Sequence, residues 1–235
     1  MSVYLGTQKV QVYLGTAAKR VFAGRPDYLI LRGKLVWADP KIYLQSDGTA
    51  YVDTGIVPDN QTGLKVVCSV PPYNGTDNIV VGTRETTGNT RFWIDLDWTD
   101  SKVHFGFNNY LSGSFSTLNM QRGKYYQTSL NWLNDRKGIA NGVQVRDVSN
   151  ITLSAQTKNI YVFKPNYSSL SAPYYGKVKS VSISQGDQEV RRFVPVPAGL
   201  VIGSTTISAN CLFDIVTQTP YYNAGGGNFT YGKEN

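Results

Sequence analysis

The stretch Trp93-Ile94-Asp95-Leu96-Asp97-Trp98 is the first place to look for catalysis. In a strand, residues two apart point to one side, so Asp95 and Asp97 would share a face. Paired carboxylates are what glycoside hydrolysis requires. A plainer reading competes: Asp97-Trp98-Thr99-Asp100-Ser101 also has hairpin-turn chemistry, because Asp accepts backbone hydrogen bonds in turns. His104 is the only histidine. It alternates with Val103 and Phe105, which makes it a strand residue rather than a general base. Cys68 and Cys211 belong to no CxxC or His/Cys pair, which excludes structural zinc. They read as two buried thiols, and their spacing does not decide whether they pair.

Binding chemistry is better represented than catalysis. Sugars and cell-wall ligands are held by aromatic faces backed by Asn, Asp and Arg hydrogen bonds. The candidates stand in apparent loops: Tyr73-Asn74, Trp98, Asn108-Asn109-Tyr110, Asn166-Tyr167 and Tyr174-Tyr175. Each could instead be a surface tyrosine that covers a sandwich edge or packs on a neighbouring subunit.

The elements that must carry these residues follow from composition and pattern. Aromatics are 12% of the 235 residues and charged residues only 17%, which points to a turn-rich β protein and away from a helical bundle or a disordered tail. The formal charge is +7, but the basic residues are scattered in short clusters such as Lys19-Arg20, Lys177 with Lys179, and Arg191-Arg192. No helix-turn-helix or zinc-finger spacing appears, so specific nucleic-acid binding is not expected. Ser2 to Val12 alternates polar and apolar residues, unlike a signal peptide. No stretch reaches the length of a membrane span, so membrane insertion is not expected either. The expectation is a protein made in a cytoplasm that works in solution or in an assembled particle.

The first 38 residues contain a repeat. Val3-Tyr4-Leu5-Gly6, Val12-Tyr13-Leu14-Gly15, Val21-Phe22-Ala23-Gly24 and Ile30-Leu31-Arg32-Gly33 share one pattern, with glycines at a period of nine. Short alternation argues for strands, and each Gly for a turn with positive φ or a close approach. A nine-residue unit cannot bury a face alone; it must stack on neighbours or on other chains. Residues 1–38 therefore read as an anchoring or oligomerising module, against the alternative of a plain β-meander packed on the main domain. Ala38-Asp39-Pro40 marks its end.

From Lys41 the strands lengthen. Tyr51-Val52, Leu64–Val70, Ile79–Val81, Arg91–Leu96, Val103–Phe107, Tyr125–Leu133, Gly142–Val148, Ile160–Phe163 and Gly176–Ile183 all read as strands between turn signals. Asn141-Gly142 is a type I′ hairpin signal. Many strands of similar length without a helix predict an all-β sandwich or jelly roll over residues 39–235.

Two places carry a resemblance. One is Tyr43-Leu44-Gln45-Ser46-Asp47-Gly48-Thr49-Ala50-Tyr51-Val52-Asp53-Thr54-Gly55. The other runs through Gly176–Val181, Val190-Arg191-Arg192-Phe193-Val194-Pro195, Leu212-Phe213-Asp214 and Tyr221–Phe229 with its Asn223-Ala224-Gly225-Gly226-Gly227 core. Together they resemble the opening and closing motifs of concanavalin A-like (laminin-G-like) jelly-roll domains, which are common in bacteriophage virion proteins and in surface proteins of gut bacteria. The match spans about 42 to 232. The repeat, ending in Lys34-Leu35-Val36-Trp37, is similar to segments at the head of phage tail and fibre proteins. Some glucanases of this sandwich class carry an E-x-D-x-x-E strand, but Trp93–Trp98 has no Glu at either outer position. Val196-Pro197 stands where the family often has a Cys, and Ala198–Ala209 is longer than the family's loop.

The resemblance implies a non-enzymatic virion structural protein: a concanavalin A-like jelly-roll β-sandwich behind a small N-terminal β-repeat module. The module would hold other virion proteins or a homo-oligomer, with a trimer favoured, through Tyr4, Leu5, Gly6, Tyr13, Leu14, Gly15, Phe22, Gly24, Gly33 and Trp37. The jelly roll would bind host-surface glycan through Trp98, Asn109, Tyr110, Asn166, Tyr167, Tyr174 and Tyr175. Laminin-G-like domains can bind calcium, here through Asp95, Asp97 and Asp100. A capsid decoration protein is the alternative role, and a glycan hydrolase the third.

Overall fold

A computed structural model describes residues 3–5, 8–10, 27–72, 77–85, 90–96, 100–167 and 173–235. Among these residues the chain is strands and turns with one 3-10 turn, Trp132–Asn134, and no α-helix. Strands are numbered in chain order. One sheet has the order β11 (Asn109–Ser114), β10 (Lys102–Phe107), β9 (Arg91–Leu96), β8 (Ile79–Arg84), β15 (Tyr161–Val162) and β6 (Val52–Asp53). The other, of ten strands, runs β14 (Val143–Asp147), β13 (Lys137–Ala140), β12 (Tyr125–Leu130), β7 (Thr62–Ser69), β16 (Lys177–Gln185), β17 (Gln188–Val196), β20 (Cys211–Asp214) and β21 (Thr219–Tyr221). It branches at β16. Lys177 and Val178 pair with β5 (Ile42–Ser46), which also holds β22 (Phe229–Lys233), while Val181 to Gln185 pair with β17. All pairings within the two sheets are antiparallel.

Period-2 alternation builds the main core between the sheets. Phe92, Ile94 and Leu96 of β9 and Val103, Phe105 and Phe107 of β10 share one buried cluster with Leu64, Val66 and Cys68 of β7 and Val178, Val181 and Ile183 of β16. Each such side chain contributes roughly 1.5–3 kcal/mol by leaving water.

A second core lies on the other face of β17 and β20. Phe193 and Leu212 belong to the main core, while Val194, Val196, Cys211 and Phe213 belong to a separate cluster with Leu200, Ile202 and Ile207. The last two flank or lie in the hairpin β18 (Val201–Ile202) with β19 (Thr205–Thr206), which fills the long 198–209 connection. The same cluster takes Tyr28 and Leu35 from the hairpin β3 (Tyr28–Leu31) with β4 (Lys34–Ala38). The Tyr28 hydroxyl donates to the Pro195 carbonyl at 2.9 Å and stands 3.0 Å from the Tyr231 hydroxyl. The Leu35 N–H and carbonyl both pair with the Gln218 side chain, at 2.8 and 2.9 Å. The fourth repeat unit thus shares a core with the sandwich, and the segments on either side of Ala38-Asp39-Pro40 pack together. Its turn has Arg32 at φ 50° and Gly33 at φ 76°, the positive values that the repeat pattern predicts for its glycine. Of the earlier units, the structure describes only the backbone of β1 (Val3–Leu5), which includes Tyr4, and β2 (Gln8–Val10), paired antiparallel. Gly6, Tyr13, Leu14, Gly15, Phe22 and Gly24 lie outside the described residues.

The two cysteines stand in different cores and are both free thiols. Burial pushes each up to about 12, so both are inert hydrophobes at neutral pH. Asn141 and Gly142, at φ 49° and 77°, make the expected type I′ turn. β12 stops at Leu130 instead of reaching Leu133, because Asn131, Leu133, Asn134 and Arg136 all take positive φ, which no strand accommodates.

Candidate functional site

The opening and closing motifs meet. Asp47 accepts hydrogen bonds from the Thr49 N–H and hydroxyl, both at 2.8 Å, from the Ala50 N–H at 3.0 Å and from the Asn228 N–H at 2.7 Å. These bonds, led by that from Asn228, lower its carboxyl to about 2. Asn223 Oδ1 accepts from the Tyr51 N–H at 3.1 Å, and the Ala224 N–H donates to the Tyr51 carbonyl at 2.9 Å. A Cβ on Gly227 would collide with the Asp47 carboxylate and the Thr49 hydroxyl, so only glycine fits beneath this clamp. The backbone of Tyr51 is therefore fixed from both sides.

Tyr51 leads into a patch at the β6–β15 edge of the six-stranded sheet. Its ring stacks on that of Tyr161, with centroids 4.6 Å apart and planes at 23°, and Lys164 Nζ lies 4.5 Å from the Tyr51 centroid. Asn159 and Tyr161 alternate with Ile160 and Val162, which are buried in the main core, so the first two face outward. Burial, then the charge of Asp53, raises the Tyr161 hydroxyl above its usual value. Asp53 accepts from the Gly55 N–H at 2.9 Å and from Asn159 Nδ2 at 3.0 Å. Asn166 bridges β8 at Thr83 and donates its amide to the Asn159 carbonyl at 3.0 Å. Beside it, the Tyr167 ring lies 4.8 Å from Arg84 Cζ and 5.5 Å from Lys158 Nζ. Glu85 accepts from the Thr157 N–H at 2.6 Å and hydroxyl at 3.1 Å. Three tyrosines, three cations and two asparagines thus converge on one edge, all half-buried.

The sequence candidates scatter around this patch. Asn166 and Tyr167 are in it. Asn109 and Tyr110 begin β11 at the far edge of the same sheet, in a strand rather than the expected loop, with Tyr110 opposite Gly106. Trp98, Tyr73 and Asn74 lie outside the described residues. Tyr175 is 39% exposed but sits elsewhere, against Gly48, its carbonyl accepting from Gln45 Nε2 at 2.8 Å. Tyr174 is a correction: it is fully buried and donates to the Ser69 carbonyl, so no ligand reaches it. Trp37 is half-buried on β4. The sequence reading missed Tyr51, Tyr161, Arg84, Lys158 and Lys164. The alternation through Asn159–Val162 was the signal that could have found Tyr161.

The acids form no open pair. Asp95 is fully buried, stands opposite His104 across β9 and β10, and accepts from the Asn78 N–H at 3.2 Å. So placed, Asp95 is closed to a glycan chain. Asp97 lies outside the described residues. Asp100 pairs with Lys102 at 2.9 Å and His104 Nε2 at 3.2 Å, and these contacts lower its carboxyl against the opposing effect of burial. Asp77 is raised by burial and by the charge of Asp100. Among the described residues no three His, Cys, Asp or Glu side chains are grouped to hold a metal.

No protein-family model and no curated protein matches this sequence. Solved structures do. A Bacteroides ovatus protein, provisionally described as carbohydrate binding, superposes with a TM-score of 0.53 at 11% identity, covering 84% of this chain and 61% of that one. Mouse laminin α1 domains LG4-5 match at TM-score 0.43 and 16% identity, over 67% of this chain and 44% of that one. The heptameric SAP-like pentraxin of Limulus polyphemus matches at 0.47 and 10%, over 83% and 97%. The chain spans about three fifths of the Bacteroides protein, and that superposition concerns the fold alone. The fold is a concanavalin A-like jelly-roll β-sandwich.

Proposed function

We propose that this chain is a lectin-like module of a bacteriophage virion, placed on a tail, baseplate or fibre, that holds host-surface glycan at the β6–β15 edge. One observation carries the binding part: the convergence of Tyr51, Tyr161 and Tyr167 with Asn159, Asn166 and three cations. Tyrosine rings offer flat apolar faces to the C–H side of a sugar, and the amides and cations offer directional partners to its hydroxyls. The nine-residue repeat and the paired motifs support the virion part through their resemblance to phage proteins. The reading is binding without cleavage, since Asp95, half of the carboxylate pair in the sequence, is sealed from any polymer.

Glycan-array screening of the full chain, followed by calorimetry on the strongest hit, tests the site. Tyr161→Ala should weaken that affinity by about tenfold or more, the scale of a buried aromatic contact. Unchanged affinity would remove the patch from the reading. Cryo-electron microscopy of the particle tests the placement: density at the tail supports it, and density spread over the capsid makes the protein a decoration protein.

A further inference from the structure

We infer that this edge prefers glycans bearing an anionic group, whether carboxylate, sulfate or phosphate, over their neutral counterparts; the inference rests on the glycan reading above. Arg84, Lys158 and Lys164 lie 4.8, 5.5 and 4.5 Å from tyrosine centroids, and among the described residues none of them is ion-paired with a carboxylate. The two nearby acids form no ion pair with them, although their charges offset part of the positive charge. Asp53 accepts from the Gly55 N–H and the Asn159 amide, and Glu85 from the Thr157 N–H and hydroxyl, all neutral donors.

Among the described residues several other cations are ion-paired, while Lys65 over Trp132 and Lys177 over Tyr43 are not. Lys179 reaches Glu234 at 2.7 Å, Lys102 reaches Asp100 at 2.9 Å, Lys233 reaches Asp39 at 2.8 Å, and Arg192 pairs with Glu189. Three cations against two carboxylates leave one positive charge in excess at this edge, and each cation stands beside a ring. A sugar stacked at these tyrosines would bring its substituents beside cations that the rings already hold in place. Lys158 gives one donor to the Arg84 carbonyl at 3.3 Å, which leaves ammonium donors for a ligand oxyanion. The rings orient the cations without neutralising them.

The test is calorimetry of the full chain with a hexameric oligogalacturonate, its methyl ester, and sulfated and phosphorylated oligosaccharides of similar length. At about 50 mM salt the charged chains should bind roughly threefold to tenfold tighter than the ester, as a few half-exposed charge contacts allow. The preference should shrink at about 0.5 M salt. The charged arms identify which oxyanion is preferred. The double variant K158Q/K164Q should bring the charged-to-neutral ratio close to one, while K179Q, on the other sheet, leaves the ratio intact. Equal affinity for acid and ester overturns the preference and spares the glycan reading. A preference that survives K158Q/K164Q overturns its placement at this edge. Failure of every chain to bind overturns the glycan reading itself.

Discussion

On the ten-stranded sheet, Lys179 lies 3.8 Å from the Tyr125 centroid and also reaches Glu234 at 2.7 Å. At the β6–β15 edge, Lys164 lies 4.5 Å from the Tyr51 centroid, and no carboxylate is paired with it among the described residues. The pairing of lysine and tyrosine is closed at Lys179 and open at Lys164; Lys177, 4.3 Å from the Tyr43 centroid on the ten-stranded sheet, is open as well. The closed region belongs to the side that carries the second core, with Val194, Val196 and Phe213 sealed under the β3–β4 hairpin. One side of the molecule uses its side chains to hold itself together. The other leaves rings and charges with capacity for a partner.

Four measurements can break or sharpen that contrast. Phe213→Ala should cost about 3–5 kcal/mol of stability in urea denaturation, through the void it leaves in the second core. Glycan affinity per folded molecule should not change; an equal loss of affinity would collapse the distinction between the two sides. Tyr161→Ala should show the opposite profile: the affinity loss given above, with a stability loss of only about 1 kcal/mol because its ring is half-buried. Tyr28→Phe removes a hydroxyl donated to the Pro195 carbonyl and should cost about 1 kcal/mol. A neutral result would mean that the hairpin is held by apolar contact alone.

The smallest effect concerns acid. The carboxyl of Asp47 falls from 3.8 to about 2 on folding, so its contribution to stability is complete above about pH 4 and is lost as the pH falls through about 2. Replacement by Asn should flatten the acid limb of the stability profile in that window. An unchanged limb would mean that the clamp between the motifs does not depend on charge.

Much of the fold was legible because turn residues punctuate it. Ser46-Asp47-Gly48 and Asn141-Gly142 sit where their side chains and positive φ values are needed. β13 was not legible: Lys137-Gly138-Ile139-Ala140 has a glycine in its interior and almost no alternation, and it is a strand because β12 and β14 flank it. The repeat pointed to hairpins, but not to the burial of Leu35, since nothing in nine residues says which surface a hairpin will cover. The site was half legible. Tyr174 and Tyr175 drew attention as a pair, yet neighbours in extended chain face opposite ways, and the structure buries the first while exposing the second. Tyr161 lies in a strand, away from the loops in which the sequence places its aromatic candidates. Lys158 stands nine residues before Tyr167, but Arg84 comes to it from β8, far away in sequence, a meeting that only tertiary structure makes.

The pairing of β5 with β22 places Ile42 directly opposite Lys233, at the same end of one antiparallel ladder. Tension applied between these two positions would open that ladder one rung at a time, as a zipper opens, rather than load all its bonds together. A domain built this way is mechanically weak when pulled from both positions, yet feels no such load when tethered from one side only.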